Sequence, residues 1–451
     1  MTIIIIFLSL LALAILTLLR PIYGIMGYYV IRIVIPSVSR VGSFSFNTLA
    51  LGMVLLCLLP KLKKYYNGSD IYVKSYINAV SFIVGGLFVL TFFGDLPFLF
   101  QWSSLFQMFM TEIVPSILLA LFLTKASDYK RFCYIICIMA LFTAIYGIYT
   151  YITFDNPIFT IFNNSGEEGY VLEDYASGRL GLKGIAVGIY NDKIAFSLVC
   201  LLLLTFLISK NNIKRLLQMV TVVIVFVAMF LSTQRTALFC IGLFFAIMML
   251  MDRKNKLVKR YFKVAVALLV IMVMFNSDSM IMDAFYSIFY IFDDSMQQKL
   301  GIGGSSTDMR MLQFANGFNY LGWERILQGE GYNFPAYYYT YIFKREWLGL
   351  DPRFLGFESF LLKTLMGSGL IGIVVWFIGL FKMFKALNPV RDVYDIAFFT
   401  SYFFAIAMTD TSSSFYLFFF LLVLNYKRYL PSSKAGNSAL LEKHDLNQRN
   451  I

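Results

Sequence analysis

Residues 219–231 (MVTVVIVFVAMFL), 232–236 (STQRT) and 237–251 (ALFCIGLFFAIMMLM) decide how the rest of the chain is read. Two apolar runs flank a short polar stretch, and Arg235 is the one charge between residues 219 and 251. An arginine left at the centre of a bilayer costs about 2.5 kcal/mol or more unless it meets water or an anion. The surrounding Ser, Thr and Gln describe a tight turn between two helices at one membrane face. Its guanidinium then points at something negative.

The same pattern extends in both directions. The 451 residues are 59% hydrophobic and only 14% charged, against about 45–50% apolar and about 25% charged in soluble domains. Crossing roughly 30 Å of hydrocarbon takes about 20 apolar residues. Candidate runs lie at 3–19, 46–59, 75–93, 103–123, 132–153, 190–208, 216–231, 237–251, 262–275, 362–381, 393–408 and 413–426. They are continuous rather than alternating, which means helices and not a lipid-facing barrel. The expected fold is therefore an all-α polytopic membrane protein of about 12 transmembrane helices. The first run has neither a basic leader nor a small-residue cleavage site and reads as a retained helix.

Loop charges orient these helices. Lys61 to Lys74, Lys125 to Arg131, Lys210 to Arg215, Arg253 to Lys263, Lys382 to Arg391 and Lys427–Arg428 recur on one side. That side is the cytoplasm by the positive-inside rule, and both termini fall there. This placement accounts for the net charge of +12 without a nucleic-acid partner. Residues 20–45 fit less easily, because Arg20, Arg32 and Arg40 would lie outside. Either an amphipathic segment over 28–38 alters the local topology or these arginines attract an external anion.

The expected organisation is helices one to nine over 1–275, an extracytoplasmic cap over 276–361, helices ten to twelve over 362–426 and a polar cytoplasmic tail over 427–451. Between residues 276 and 358 the cap has ten acids and six bases, net −4. Its aromatic content argues for folded structure rather than disorder.

Candidate chemistry concentrates on the external side. Arg179, Arg235, Arg310, Arg325, Arg345 and Arg353 are not required there by orientation, and guanidinium forks suit phosphate. The bland alternative is ion pairing, Arg325 with Glu324 and Arg345 with Glu346. Glu358 stands where the cap re-enters the membrane. A desolvated carboxylate there accepts a proton as a general base; a solvated one caps the following helix. Tyr332, Tyr338 and Trp347 belong to a dense aromatic run that suits sugar rings, an interfacial belt or the core of the cap. The acids Asp95, Glu112, Asp192 and Asp410 lie at or inside helix ends. Intramembrane acids keep an ion- or proton-coupled transporter in play.

Other chemistries lack their residues. The five cysteines all lie in apolar runs as small hydrophobes, and the single histidine, His444, is in the tail. That removes imidazole catalysis and histidine metal sites from the membrane body. No phosphate-binding loop, dinucleotide fingerprint or zinc-protease motif occurs. No cofactor and no metal is called for.

Four local elements between residues 185 and 372 resemble those of the O-antigen polymerase and ligase superfamily, the Wzy-like membrane glycosyltransferases of bacterial surface polysaccharides. They are Tyr190-Asn191-Asp192-Lys193 before an apolar run; Ser232-Thr233-Gln234-Arg235-Thr236-Ala237; Ser306-Thr307-Asp308-Met309-Arg310; and Glu358-Ser359 before Gly369-Leu370-Ile371-Gly372. Ligases of the superfamily usually carry His-Asn where this chain has Glu358-Ser359, which favours a polymerase. The resemblance implies a GT-C-like enzyme in the bacterial cytoplasmic membrane, its site facing the exterior. It would join undecaprenyl-diphosphate-linked oligosaccharide repeat units into O-antigen, capsule or exopolysaccharide, with a flippase and a chain-length regulator as partners. Arg235 and Arg310 would hold the diphosphate and Glu358 would activate the acceptor hydroxyl. Asn191, Arg345, Arg353, Tyr332, Tyr338 and Trp347 would line the substrate. Transfer to another acceptor, or transport of a lipid-linked sugar, are the alternatives.

Overall fold

A computed structural model describes residues 2–36, 39–41, 44–162, 186–190, 192–209, 213–232, 234–252, 256–275, 306–342, 357, 359–409 and 415–430. Among these the architecture is helical apart from a two-residue ladder, β1 (Arg40–Val41) antiparallel to β2 (Phe44–Ser45). In chain order the helices are α1 (Thr2–Leu19), α2 (Pro21–Val34), α3 (Phe46–Asn67), α4 (Ile71–Leu90), α5 (Phe98–Met108) and α6 (Val114–Phe122). Then follow α7 (Ala126–Thr153), α8 (Pro157–Phe162), α9 (Lys193–Ser209), α10 (Arg215–Leu231), α11 (Arg235–Met251) and α12 (Lys256–Phe275). The last are α13 (Ser306–Arg325), α14 (Phe334–Tyr337), α15 (Phe360–Leu387), α16 (Val393–Met408) and α17 (Phe415–Lys427).

Short polar side chains fix several of the starts by accepting an orphan backbone N–H. Asp70 accepts from Val73 at 2.7 Å and opens α4, and Asp392 accepts from Tyr394 at 2.8 Å and opens α16. Five stretches are long and apolar enough to cross a membrane: α3, α4, the continuous Phe98–Phe122, α7 and α15. Shorter apolar helices accompany them, so the chain is a multi-pass helical membrane protein. On α1 the side chains of Ile4, Phe7, Leu8, Leu11, Ile15, Leu18 and Leu19 are exposed along one helical stripe, as a lipid-facing surface requires. In contrast, every residue of α17, and of α9 from Phe196 on, is buried. A helix apolar all round belongs at the centre, and α9 and α17 are the central pillars.

Of the two readings of residues 20–45, the extra segment is the one present, as a helix over Pro21–Val34 rather than 28–38. After the single residue Arg20, α2 folds back on α1: the faces of Gly24 and Gly27 meet Thr17 and Leu13. This hairpin brings Ile6, Ile35 and Phe46 together at one end, with Phe162 packed on them. Arg20 lies at the other end beside Tyr23, whose hydroxyl accepts a hydrogen bond from Arg131 in the basic first turns of α7. Arg20 thus joins the cationic end of the bundle, while Arg32 is carried toward the opposite end.

The pairing of α4 with α15 positions the site. A Cβ on Gly379 would sit 2.0 Å from Ile83, so only glycine admits this approach. Small residues give helices in lipid the contact area that holds them together.

Candidate functional site

Helix α15 is broken near its start, and the break is filled by another part of the chain. Gly369 has φ 64° and ψ −167°, a left-handed conformation that costs other residues strain. Beyond the break, Leu370 and Ile371 donate not to Met366 and Gly367 but to the carbonyls of Ile326 and Leu327, at 2.9 and 3.1 Å. The carbonyls thus freed accept from Glu330 and Gly331 at 2.8 and 3.0 Å. Two helical bonds are exchanged for four bonds to residues 326–331. Backbone that leaves the helix inside a bilayer must find such partners.

The inserted segment is also tied to the turn after α4. The carbonyl of Glu330 accepts from Asp95 N–H at 2.7 Å, and Tyr332 N–H donates to the buried Gln101 side chain at 2.8 Å. Arg325 forks over the insertion, with Nη1 2.9 and 2.8 Å from the two Glu330 oxygens and Nη2 2.7 Å from Asp95. The expected pairing of Arg325 with Glu324 is replaced, because the turn at 326–329 brings Glu330 back onto the guanidinium while Glu324 stays exposed. Hydrogen bonding to Glu330 holds the Arg325 guanidinium above its ordinary pKa.

Beneath this segment lies a buried polar centre. Between α5 and α6 the helix widens into a π-turn over Phe109–Ile113 that carries Glu112, with Val114 donating back to Phe109. Pro115 has no N–H to give the carbonyl of Thr111, so the regular ladder fails where the widening occurs. Glu112 Oε1 lies 3.4 Å from Arg32 Nη2 and 3.2 Å from Thr111 Oγ1, and Oε2 accepts from Tyr416 N–H at the start of α17. The Arg32 guanidinium stacks 4.1 Å over the Tyr416 ring. Among the described residues, Arg32 Nε and the Tyr28 hydroxyl are buried without a hydrogen-bond partner. Tyr190 is within electrostatic reach of Arg32 and Tyr416. Tyr332, directly after the inserted segment, packs partly buried against the core and is within electrostatic reach of Glu112.

The expected site residues fall into three groups. Arg235 is the first residue of α11, three residues beyond the Ser232 that closes α10, so the tight turn read from the sequence is present. Ala186 N–H bonds the carbonyl of Leu231 at 3.0 Å, which links this turn through residues 186–190 to the polar centre. Arg310 lies in the first half of α13. Tyr332 adjoins the centre, and the buried ring of Tyr338 lies 5.7 Å from Phe334 and 6.1 Å from Phe357. For that part of the aromatic run, the reading as core holds. Asn191, Arg345, Trp347, Arg353 and Glu358 lie outside the described residues. The neighbouring Ser359 is described: it caps α15 and its hydroxyl donates to Ala407 O at 2.6 Å.

Two groups went unrecognised in the sequence, the Arg32–Glu112 pair and the Gln101 bridge. Opposite charges isolated in two apolar helices were the available signal for the first. Asp95, Asp192 and Glu112 serve as a counter-ion, a cap on Ile194 N–H and a counter-ion. Asp410 lies outside the described residues.

Residues 220–377 match the model of a family described as O-antigen ligase. The match begins within α10 and ends within α15, covering Arg235, α13, the inserted segment and the broken helix. It bears out the resemblance over that stretch and points to a glycosyltransferase-like membrane enzyme of O-antigen ligase or polymerase type. Arg32 and Glu112 lie outside it. No curated protein matches the chain.

Proposed function

We propose that this protein is a polymerase that joins undecaprenyl-diphosphate-linked oligosaccharide repeat units on the external face of the bacterial cytoplasmic membrane. The observation that carries the proposal is the O-antigen ligase match over 220–377, which contains the Arg235 turn, Arg310 and the segment inserted into broken α15. Within the superfamily, the lack of any histidine but His444 favours polymerase over ligase.

In the reaction, the bond between C1 of the donor's terminal sugar and its diphosphate oxygen breaks. The acceptor hydroxyl oxygen bonds to C1, and its proton passes to Glu358. Arg235 and Arg310 bind the diphosphate and stabilise the charge it takes with it. Asn191, Arg345, Arg353, Trp347 and Tyr332 line the sugars. The sugar–diphosphate bond supplies the driving force, so neither ATP nor a metal enters the scheme.

The topology within this proposal has thirteen crossings rather than twelve, because α2 adds one. The C-terminal tail stays cytoplasmic, and the start of α1 moves to the external side instead of the cytoplasm. A cap over residues 276–361 and the partnership with a flippase and a chain-length regulator complete the proposal.

The test is conversion of a purified lipid-linked repeat unit by the protein in nanodiscs, without ATP. A ladder spaced by one repeat is expected. Arg235→Ala should slow it by roughly 10²–10³-fold, the usual effect of removing one preorganised charge-stabilising group. A single transfer onto a second acceptor with no ladder would make the protein a ligase. Movement of intact substrate across a vesicle membrane would make it a transporter.

A further inference from the structure

At the cationic end of the bundle, one face of α12 carries Lys256, Lys259, Arg260 and Lys263, followed by Val264 and Ala267. These six residues line a groove of about 570 Å³. Their spacing puts them on a single helical stripe. Val258 and Tyr261, on the other side of the helix, are buried against the bundle. The groove therefore faces away from the protein core, and its four cations are exposed. No acidic residue lines it.

Orientation in the membrane explains why cations lie at this end, since the positive-inside rule acts on their number in the loop. It does not explain why four share one stripe. Like charges three and four residues apart on a helix repel one another, and at about 0.1 M salt all lie within about one or two Debye lengths. An anion seated among them relieves that repulsion. The stripe changes character along its length: cations over the first two turns, then Val264 and Ala267 where the helix enters its apolar stretch. From Lys256 to Ala267 the helix rises roughly 16 Å. That order matches an amphiphile with an anionic head and an acyl chain, and a lipid-facing groove is open to one.

We propose that this face of α12 binds an anionic phospholipid of the cytoplasmic leaflet, with the headgroup phosphate on Lys259, Arg260 and Lys263 and an acyl chain along Val264 and Ala267. The proposal rests on the membrane orientation above and not on the identity of the reaction. Basic grooves beside transmembrane helices hold anionic headgroups by this combination of charge and apolar contact.

The test is native mass spectrometry of the purified protein titrated with phosphatidylglycerol or phosphatidylcholine. The variant is Lys259→Gln/Arg260→Gln/Lys263→Gln, and the control is Lys61→Gln/Lys63→Gln/Lys64→Gln, which removes equal charge from the basic end of α3. We expect phosphatidylglycerol to be retained over phosphatidylcholine, with affinity falling about tenfold or more in the α12 variant and staying unchanged in the control. Equal losses in the two variants would reduce the groove to a diffuse field and overturn the proposal, as would no preference between the lipids. Displacement by equimolar inorganic pyrophosphate would assign the cations to a free phosphate and overturn the lipid. Should the triple variant not fold, Arg260→Gln alone should lose about threefold, and no loss there counts against the site. The polymer ladder is a separate readout, so failure of one reading leaves the other standing.

Discussion

Arg32 meets Glu112 through one contact of 3.4 Å with the side chains 9% and 11% exposed, whereas Arg325 grips Glu330 and Asp95 at 2.7–2.9 Å while 43% exposed. The better geometry belongs to the pair that matters less for stability. Glu330, only 6% exposed, is the one carboxylate of the fork that depends on the guanidinium; water already solvates Arg325 and Asp95, and such exposed ion pairs contribute about 0–1 kcal/mol. The Arg32 pair has no such alternative. Removing one partner of a buried pair leaves a bare charge and costs about 3–5 kcal/mol, although replacing both by apolar groups is often neutral. Burial, and not contact distance, ranks the two.

The largest effect should therefore come from Glu112→Gln. The amide still accepts from Tyr416 N–H, but Arg32 loses its counter-charge, and a destabilisation of about 3–5 kcal/mol is expected in detergent unfolding. Adding Arg32→Met should restore most of it, because no charge is then left to compensate. Additive losses in the double mutant would mean that the two residues do not act as a pair. The comparison with Arg325 would then fall.

The same contrast explains what could be read in the sequence. Arg235 was legible because its turn is local: two apolar runs, a polar interruption, and α11 begins on that residue. Residues 393–408 match α16 end to end for the same reason. Helix α2 was legible only as an alternative, an amphipathic segment over 28–38, because just 14 residues, interrupted by Arg32, form it, and its counter-charge is 80 residues away. Glu112 was legible as an intramembrane acid, but nothing local names its partner. Gly369 read only as the start of the Gly369-Leu370-Ile371-Gly372 stretch after Glu358-Ser359. That Gly369 opens a helix to residues 326–331 depends on hydrogen bonds between distant segments, for which no periodicity exists.

That insertion sharpens the comparison, because two devices hold it: the backbone exchange at Gly369 and the Arg325 fork. Gly369→Ala should be the more damaging change. The residue sits at φ 64°, and a Cβ would lie 2.2 Å from the Leu327 carbonyl oxygen. Strain and forced displacement together should cost about 2 kcal/mol or more. Limited proteolysis near residues 326–333 should accelerate alongside a lower unfolding temperature. An unchanged protein would show that the exchange does not anchor the segment.

The smallest effect is expected for Arg325→Ala. Its three contacts are to carboxylates on the two sides of the inserted turn, but the backbone bonds from Asp95, Glu330, Gly331, Leu370 and Ile371 remain when the side chain is gone. A loss of about 1–2 kcal/mol is expected, since the buried Glu330 carboxylate loses its guanidinium, and the share from the exposed Asp95 pair should shrink as salt rises from 0.05 to 0.5 M, on the order of the screening that exposed charges feel. Unfolding measured at both salt concentrations decides the matter. A loss as large as that of Glu112→Gln, and insensitive to salt, would mean that the fork is shielded from water. Charge geometry, rather than burial, would then be what orders the two pairs.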